Sequence, residues 1–548
     1  MNRISFKKSI FVTLATLCLL TFIFAGSDQY LEASRNWKYL YEVYKKVLTH
    51  YSDRIDPAEL AKAGVDGMLS ELDPYTISLE REDREGIDML TKGKYGGVGI
   101  QLGMRDDTLT VIAPMEDTPA KRAGILTGDR IVKIDGESTE NMKLDEAAKK
   151  IRGTKGTIVV LTILRSGEDD LINFELTRES IKIQDIPFAG MIDDEIGYIR
   201  ITRFSKNLTG EFKKSLLRLK EQGLSKLILD VRGNPGGLLE SAIKILDMVT
   251  EKGAQLLETH GQSEESNRSY TSQSEPIIST SVQIAVLIDG GSASASEILA
   301  GAIQDIDRGV IIGTQSFGKG LVQSVFPLDQ EHSLKITTAK YYIPSGRLIQ
   351  KPGYIRDELL IVKGEEDSLF FTNSGREVYA KGGITPDIEV HFNKVPTLTR
   401  ECWRKGLFFK FASTHVKDYS MTLPVTIDDK IMSAFKSYIS TKDIELKVKG
   451  EKHFLTLESE LDSLDKKNLT VQHALNLLSE HFATKKQNIF DKEVDFLTIG
   501  LEREISSVLG GQVARISSSF DDDRQILKAL DVLNDQLTYH NTLRHEEL

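Results

Sequence analysis

The chain has 548 residues, 40% of them hydrophobic and 28% charged, with 13 Pro and 42 Gly, an ordinary globular composition long enough for three or four domains and unlike a disordered tail. Its 70 Lys+Arg against 81 Asp+Glu leave a net charge of −11, which disfavours nucleic acid as a partner. With 2 Cys in all, Cys18 in an apolar leader and Cys402 alone, it has neither a disulfide framework nor a Cys-rich zinc site.

Residues 1–27 have the layout of a secretory signal peptide. Arg3, Lys7 and Lys8 precede an apolar run from Ile10 to Ala25, and Gly26, Ser27 and Asp28 follow it. Small residues at Ala25 and Ser27 favour a cut after Ser27, and the run falls short of the roughly 20 apolar residues of a spanning helix. Export to a periplasm or cell envelope is expected, with the body held at the inner membrane if the leader is retained.

Residues 28–93 read as an N-terminal helical region. Leu40, Val43, Tyr44, Val47 and Leu48 recur at helical spacing, as do Ala61, Val65, Met68 and Leu69, and Pro57 suits the opening turn of the second helix. Residues 94–180 change to short strands (GVGIQLG, TLTVIAP, DRIVKIDG, TIVVLTILR, LINFELT) around one helix predicted over residues 144–151. Over residues 181–394 the spacing predicts strands at 197–201, 227–231 and 284–288 alternating with helices at 209–222, 238–250 and 297–306. This alternation predicts an α/β core with a largely parallel sheet. LILDV and IAVLI lack a polar alternation, as strands buried on both faces should. The polar residues 258–276 read as a loop. Residues 395–548 read as a helical extension of open role, with a stripe at Ile526, Leu530, Leu533 and Leu537, and its removal is expected to leave the core folded but to change assembly.

Three segments carry candidate chemistry. Residues 282–306 (VQIAVLIDGGSASASEILAGAIQDI) pass from a buried strand through Gly290 and Gly291 into a helix, with Ser292, Ser294 and Ser296 at the turn. Unpaired N–H groups at a helix N-terminus favour a developing negative charge, and open α/β sheets place ligands at the carboxyl ends of strands. The same serines equally suit an N-cap. Residues 313–323 (GTQSFGKGLVQ) set Lys319 between two glycines, as a solvated loop lysine or, once desolvated, as a general base. Residues 230–237 (DVRGNPGG) end on two glycines, which make either a plain turn or an oxyanion hole.

Order and spacing join the three. GGSASASEILAGAIQD and SFGKGLVQ, with DVRGNPGGLL before them and YYIPSGRLIQ after, resemble the carboxyl-terminal processing peptidases, also called tail-specific proteases. The resemblance runs over roughly residues 37–390, including LDPYTISL, where the family more often has a His after the Pro. It implies an α/β protease core of the ClpP/crotonase-like kind. It further implies Ser294 as nucleophile, Lys319, 25 residues later, as base, and Gln323, four beyond, as the group that holds the amine. Backbone N–H groups of Ala295 and Gly237 would form the oxyanion hole, with Gly236 the weaker candidate. Ser292 and Ser296 lack the 25-residue spacing.

YGGVGI at residues 95–100 and the following APMEDTPAKRAGILTGDRIVKIDG resemble a PDZ domain, preceding or inserted into the core. In that case Gly97, Val98, Gly99 and Ile100 would offer N–H groups to the terminal carboxylate of a protein tail, and residues 101–103 would pair with the tail as a strand. The expected protein is an exported serine endopeptidase acting on disordered C-terminal tails. An adaptor protein and a homo-oligomer through the N- or C-terminal helical region are its further expected partners, and no cofactor or metal is expected. One alternative is an inactive PDZ scaffold of the cell envelope, against which the intact Ser294, Lys319 and Gln323 set argues. Another is a Ser-His-Asp esterase, but no G-x-S-x-G elbow surrounds Ser294, and His260, His332 and His391 are the only histidines in the core region.

Overall fold

The computed structural model describes residues 30–351 and 369–544, less 81–88, 90, 92, 106, 107, 116, 166, 167, 169, 381, 417, 418, 420, 443, 445–447 and 462–467. The leader expected over residues 1–27 lies outside the described residues. The described residues divide into two compact units, the smaller made of residues 30–80 and 323–337.

In the smaller unit both expected helices form, over residues 30–50 and Pro57–Ser70. Asp56 caps the second by accepting from Ala58 N and Glu59 N, and Pro57 fills the first turn, where no N–H is needed. Their apolar stripes are little covered: Leu40, Val43 and Met68 are 45%, 43% and 50% exposed. Asp73 then accepts from Tyr75 N, Thr76 N and Thr76 Oγ1. This turn feeds the strand Ile77–Glu80, which pairs antiparallel with residues 332–335.

The larger unit begins with the β-rich module. Its sheet runs Ile100–Arg105, Thr108–Pro114, Arg130–Ile134, Ile158–Leu164, Ile172–Thr177, which leaves Ile100–Arg105 at an edge. The helix Leu144–Ile151 stands where it was expected, with Ala147 and Ile151 buried. The ribbon Lys94–Gly97 with Glu179–Lys182 joins the module to the rest of the unit, and Gly93 O accepts from Ile183 N and from Asn207 Nδ2.

The core is a six-stranded sheet in the order Phe188–Met191, Ile196–Arg200, Lys226–Asp230, Gln283–Ile288, Val310–Gly313, Ile388–Glu389. Only the Phe188–Met191 edge is antiparallel. Side chains alternate between two apolar layers, as the period of two requires. Ile199, Leu227, Leu229, Val286 and Ile311 face a cluster that includes Phe212, Leu246, Ile298 and Leu299 of three covering helices. Tyr198, Ile228, Leu287 and Ile312 face the other way, onto Ile526, Ala529, Val532, Leu533 and Tyr539.

That second layer corrects the expectation that residues 395–548 are dispensable to the fold, because their last helices cover one face of the central sheet. The stripe is also shorter than its periodicity suggests. The helix Arg524–Asn534 ends, Asp535 caps a new one over Gln536–Leu543, and Leu537 is 75% exposed in the broken register. The remaining extension has a core of its own around Cys402, Phe408, Phe411, Phe435, Leu497 and Leu501. Residues 258–276 are likewise not loop throughout. Gln255–His260 and Arg268–Thr271 form an antiparallel hairpin in which Leu257 and Thr259 are buried while Glu258 and His260 face solvent, so the polarity marks one strand face.

Candidate active site

Ser294 is the N-cap of the helix Ala295–Asp305, with φ 55° and ψ −114°. A positive φ is costly for a residue with a Cβ and persists only where the surroundings impose it. Here Ser294 N donates to Glu297 Oε2 at 2.8 Å. Glu297 is fully buried and accepts three further bonds: Ser316 Oγ at 2.5 Å and Gly318 N at 2.7 Å on Oε1, and Lys319 N at 2.9 Å on Oε2. One carboxyl therefore grips the backbone of both Ser294 and Lys319. Tyr341 Oη makes a second bridge, its one O–H shared between Ser294 O at 3.3 Å and Lys319 O. The two residues that the resemblance nominates thus have their backbones held by the same buried partners.

The other two serines are occupied structurally. Ser292 Oγ donates to Val231 O at 2.9 Å and accepts from Asp289 N at 3.0 Å, and Ser296 Oγ donates to Asn234 O at 2.9 Å; both residues are fully buried. A nucleophile must present its hydroxyl to substrate, and these two are turned into the scaffold.

Residues 231–237 lie against the serine turn. Asn234 is the fastener: its carbonyl accepts from Ala293 N and Ser296 Oγ, its Nδ2 donates to Ile201 O at 2.9 Å, and its Oδ1 accepts from Gly236 N at 2.9 Å. Asp289 Oδ1 adds a second tie, accepting from Gly233 N and Gly291 N. Gly236 has φ +96°, and a Cβ there would lie 2.6 Å from Ala293 O and 2.9 Å from Ala295 N, so no larger residue fits. The Gly236 N–H is taken by Asn234, which removes it from the oxyanion donors weighed from sequence. Among the described residues, the N–H groups of Gly237 and Ala295 take no partner. Gly237 bridges alongside Phe204, whose N donates to Gly236 O and whose carbonyl accepts from Leu238 N.

Gln323 stands on the strand Leu321–Pro327, half-buried, with its Nε2 3.5 Å from Thr337 Oγ1. Glu297, Asn234 and Tyr341 were not singled out from sequence. A Ser followed three residues on by Glu at a helix start is a capping-box pattern, and that signal could have found Glu297. The bonds of Asn234 and Tyr341 join segments dozens of residues apart, and no local pattern marks them.

In the β-rich module a cavity of about 190 Å³ opens between the edge strand and the helix Leu144–Ile151. Gly97, Val98, Gly99 and Ile100 all line it, beside Leu102, Leu144, Ala148 and Ile151. Tyr95, Asp145 and Arg152 complete the lining, so the four residues nominated for a carboxylate and the edge nominated for a strand share one groove of mixed polarity. Gly99 has φ +76° and presses on Thr118, which a Cβ would approach to 2.3 Å. Among the described residues no cluster of metal-ligating side chains occurs.

Comparison with known proteins gives three family matches: "Peptidase family S41" over residues 195–360, "PDZ domain" over 87–164, and "Probable PDZ-protease, C-terminal helical domain" over 398–533. The chain is 36% identical over 360 residues to a carboxy-terminal-processing protease of Bartonella bacilliformis, covering 65% of this chain and 81% of that protein. It is 37% identical over 334 residues to a carboxyl-terminal-processing protease of a Synechocystis species, covering 60% of this chain and 75% of that one. Among solved structures, a photosystem II D1 C-terminal processing protease matches at 25% identity with a TM-score of 0.36, over 65% of this chain and 87% of that one.

Proposed function

Because this chain belongs to the carboxy-terminal-processing proteases of peptidase family S41, which are serine-type peptidases, we propose that it is an exported endopeptidase that selects free protein C-termini through its PDZ domain and cleaves with a Ser294–Lys319 dyad. In this reading Ser294 Oγ attacks a peptide carbonyl while the uncharged Lys319 amine takes its proton. Gln323 orients the amine. The oxyanion forms against the N–H groups of Gly237 and Ala295, at the helix N-terminus, where the peptide dipoles favour negative charge. Collapse breaks the C–N bond, and the lysine ammonium returns its proton to the leaving amine. Water then repeats the sequence on the acyl-serine and releases the new carboxylate.

The observation that carries the reading is the shared grip of Glu297 and Tyr341 on the backbones of Ser294 and Lys319. Tail selection is supported by the groove at Gly97–Ile100, whose N–H turn suits a carboxylate. Export is supported by the layout of residues 1–27.

The test is cleavage of one protein bearing an apolar tail, with a free or an amidated C-terminus. The free tail should be cut faster by the intact chain, and Ser294→Ala should cut neither. Equal rates on both tails would remove the tail-selecting role, and full activity of Ser294→Ala would remove the nucleophile.

A further inference from the structure

An ion cluster at the foot of the loop over residues 231–237 reaches from the sheet to the C-terminal helices. Asp230 ends the strand Lys226–Asp230, fully buried. Its Oδ2 accepts from Tyr198 Oη at 2.6 Å, Arg200 Nη1 at 2.7 Å and Arg232 Nη2 at 2.6 Å. Burial alone would raise this carboxyl, but Arg232 and Arg200 outweigh it and hold it down at about 2. Arg232 N donates to Asp230 Oδ1 at 2.9 Å, and Arg200 Nη2 donates to Arg232 O at 3.1 Å. Both backbone groups of residue 232 are therefore fixed by the same ions.

The last nitrogen of that guanidinium leaves the sheet. Arg232 Nη1 donates to Asp523 Oδ1 and Oδ2 at 2.9 and 2.8 Å and to Gln525 Oε1 at 3.0 Å. Asp523 is at the same time the N-cap of the helix Arg524–Asn534, accepting from Gln525 N and Ile526 N. Gln525 Nε2 is anchored on Val390 O at 2.7 Å, and the ring of Phe392 lies 5.7 Å from the guanidinium. Arg232 is only 6% exposed. Two arginines balance two aspartates here, so losing the charge of Asp523 leaves a buried guanidinium in excess, which must shift toward water. Residue 232 would move with it. The same loop carries Asn234, whose carbonyl holds Ala293 N and Ser296 Oγ, and then Gly237.

We propose that Asp523 and Gln525 are positioning residues of the peptidase site: acting through Arg232, they set the loop that presents the Gly237 N–H, and the C-terminal helical domain is a working part of the catalytic centre. The proposal rests on the reading of that loop as an oxyanion hole.

Arg232→Ala risks unfolding the chain, so the test uses Asp523→Asn in the full-length protein, which keeps an acceptor for the helix cap and removes only the charge. A displaced oxyanion donor costs rate but not substrate binding, so kcat should fall about tenfold with KM within twofold. Affinity for a peptide boronate, which forms an anionic tetrahedral adduct on Ser294, should fall by the same factor as kcat/KM, while binding of a tail peptide stays unchanged. Asp523→Glu should restore most of the loss. Unchanged kcat and boronate affinity in both Asp523→Asn and Gln525→Leu would overturn the proposal, and so would a fall in melting temperature with equal losses of boronate and tail-peptide binding. Retained cleavage by Ser294→Ala would instead bring down the reading of the site itself, so the two failures are separately visible.

Discussion

Burial pushes the Glu297 carboxyl up to about 7, while the Ser316 hydroxyl and the N–H groups of Lys319, Gly318 and Ser294 pull it down. The three backbone N–H groups can only donate, so the geometry that holds Ser294 and Lys319 suits the ionised form. The linkage runs the other way for stability: a carboxyl raised from 4.5 to about 7 contributes fully below the lower value and loses that contribution as pH rises through the higher one. Between these limits, acid should favour the fold and disfavour the reaction. Glu297→Gln places an NH₂ among donors. It should lower kcat about tenfold or more and flatten the acid limb of the wild-type kcat profile near pH 7. An unaltered acid limb in the variant would assign it to another group. Ser294 and Lys319 were nominated through the resemblance of short motifs, which a sequence displays directly. Asn234 and Tyr341 were not, because their roles exist only once distant segments meet.

At the scale of elements, the turn over residues 97–100 and its edge strand make the clearest prediction. A side chain at Gly99 would collide with buried Thr118 and would need a φ that L-residues resist. Gly99→Val should weaken binding of a free-carboxylate peptide about tenfold or more, read by fluorescence anisotropy, and raise KM for a tail-bearing substrate. Unchanged peptide affinity would show that this turn does not hold tails. The three strands and three helices read between residues 197 and 306 were legible in the alternation of apolar runs with amphipathic stretches, to within a residue or two at each end, whereas the strands Phe188–Met191, Leu321–Pro327 and His332–Tyr342 were not read. The hairpin over residues 255–271 was not, since a strand with one wet face and many Ser and Glu residues resembles a loop in composition. Nor was the break at Asp535, where a new cap resets the helical register.

At the scale of the whole molecule, the sheet has two covered faces, and the chain supplies the second from its far end. A protein ending at Lys394 would expose Tyr198, Ile228, Leu287 and Ile312 together. Apolar surface of that extent drives association, so the truncated chain should aggregate or melt without a cooperative transition. A soluble, cooperatively melting truncation would contradict the account of the fold. That role was illegible because a stripe announces that a helix needs a partner without naming which one. The central claim, a lysine that takes the proton of Ser294, is tested most directly by the cleavage rate of one tail-bearing protein, by wild type and Lys319→Arg, across pH at saturating substrate. A guanidinium stays charged at every accessible pH. The account predicts a wild-type rate that rises through a value below the free-lysine pKa of about 10.4 and no cleavage by Lys319→Arg at any pH; a Lys319→Arg protein that cleaves like wild type would contradict it.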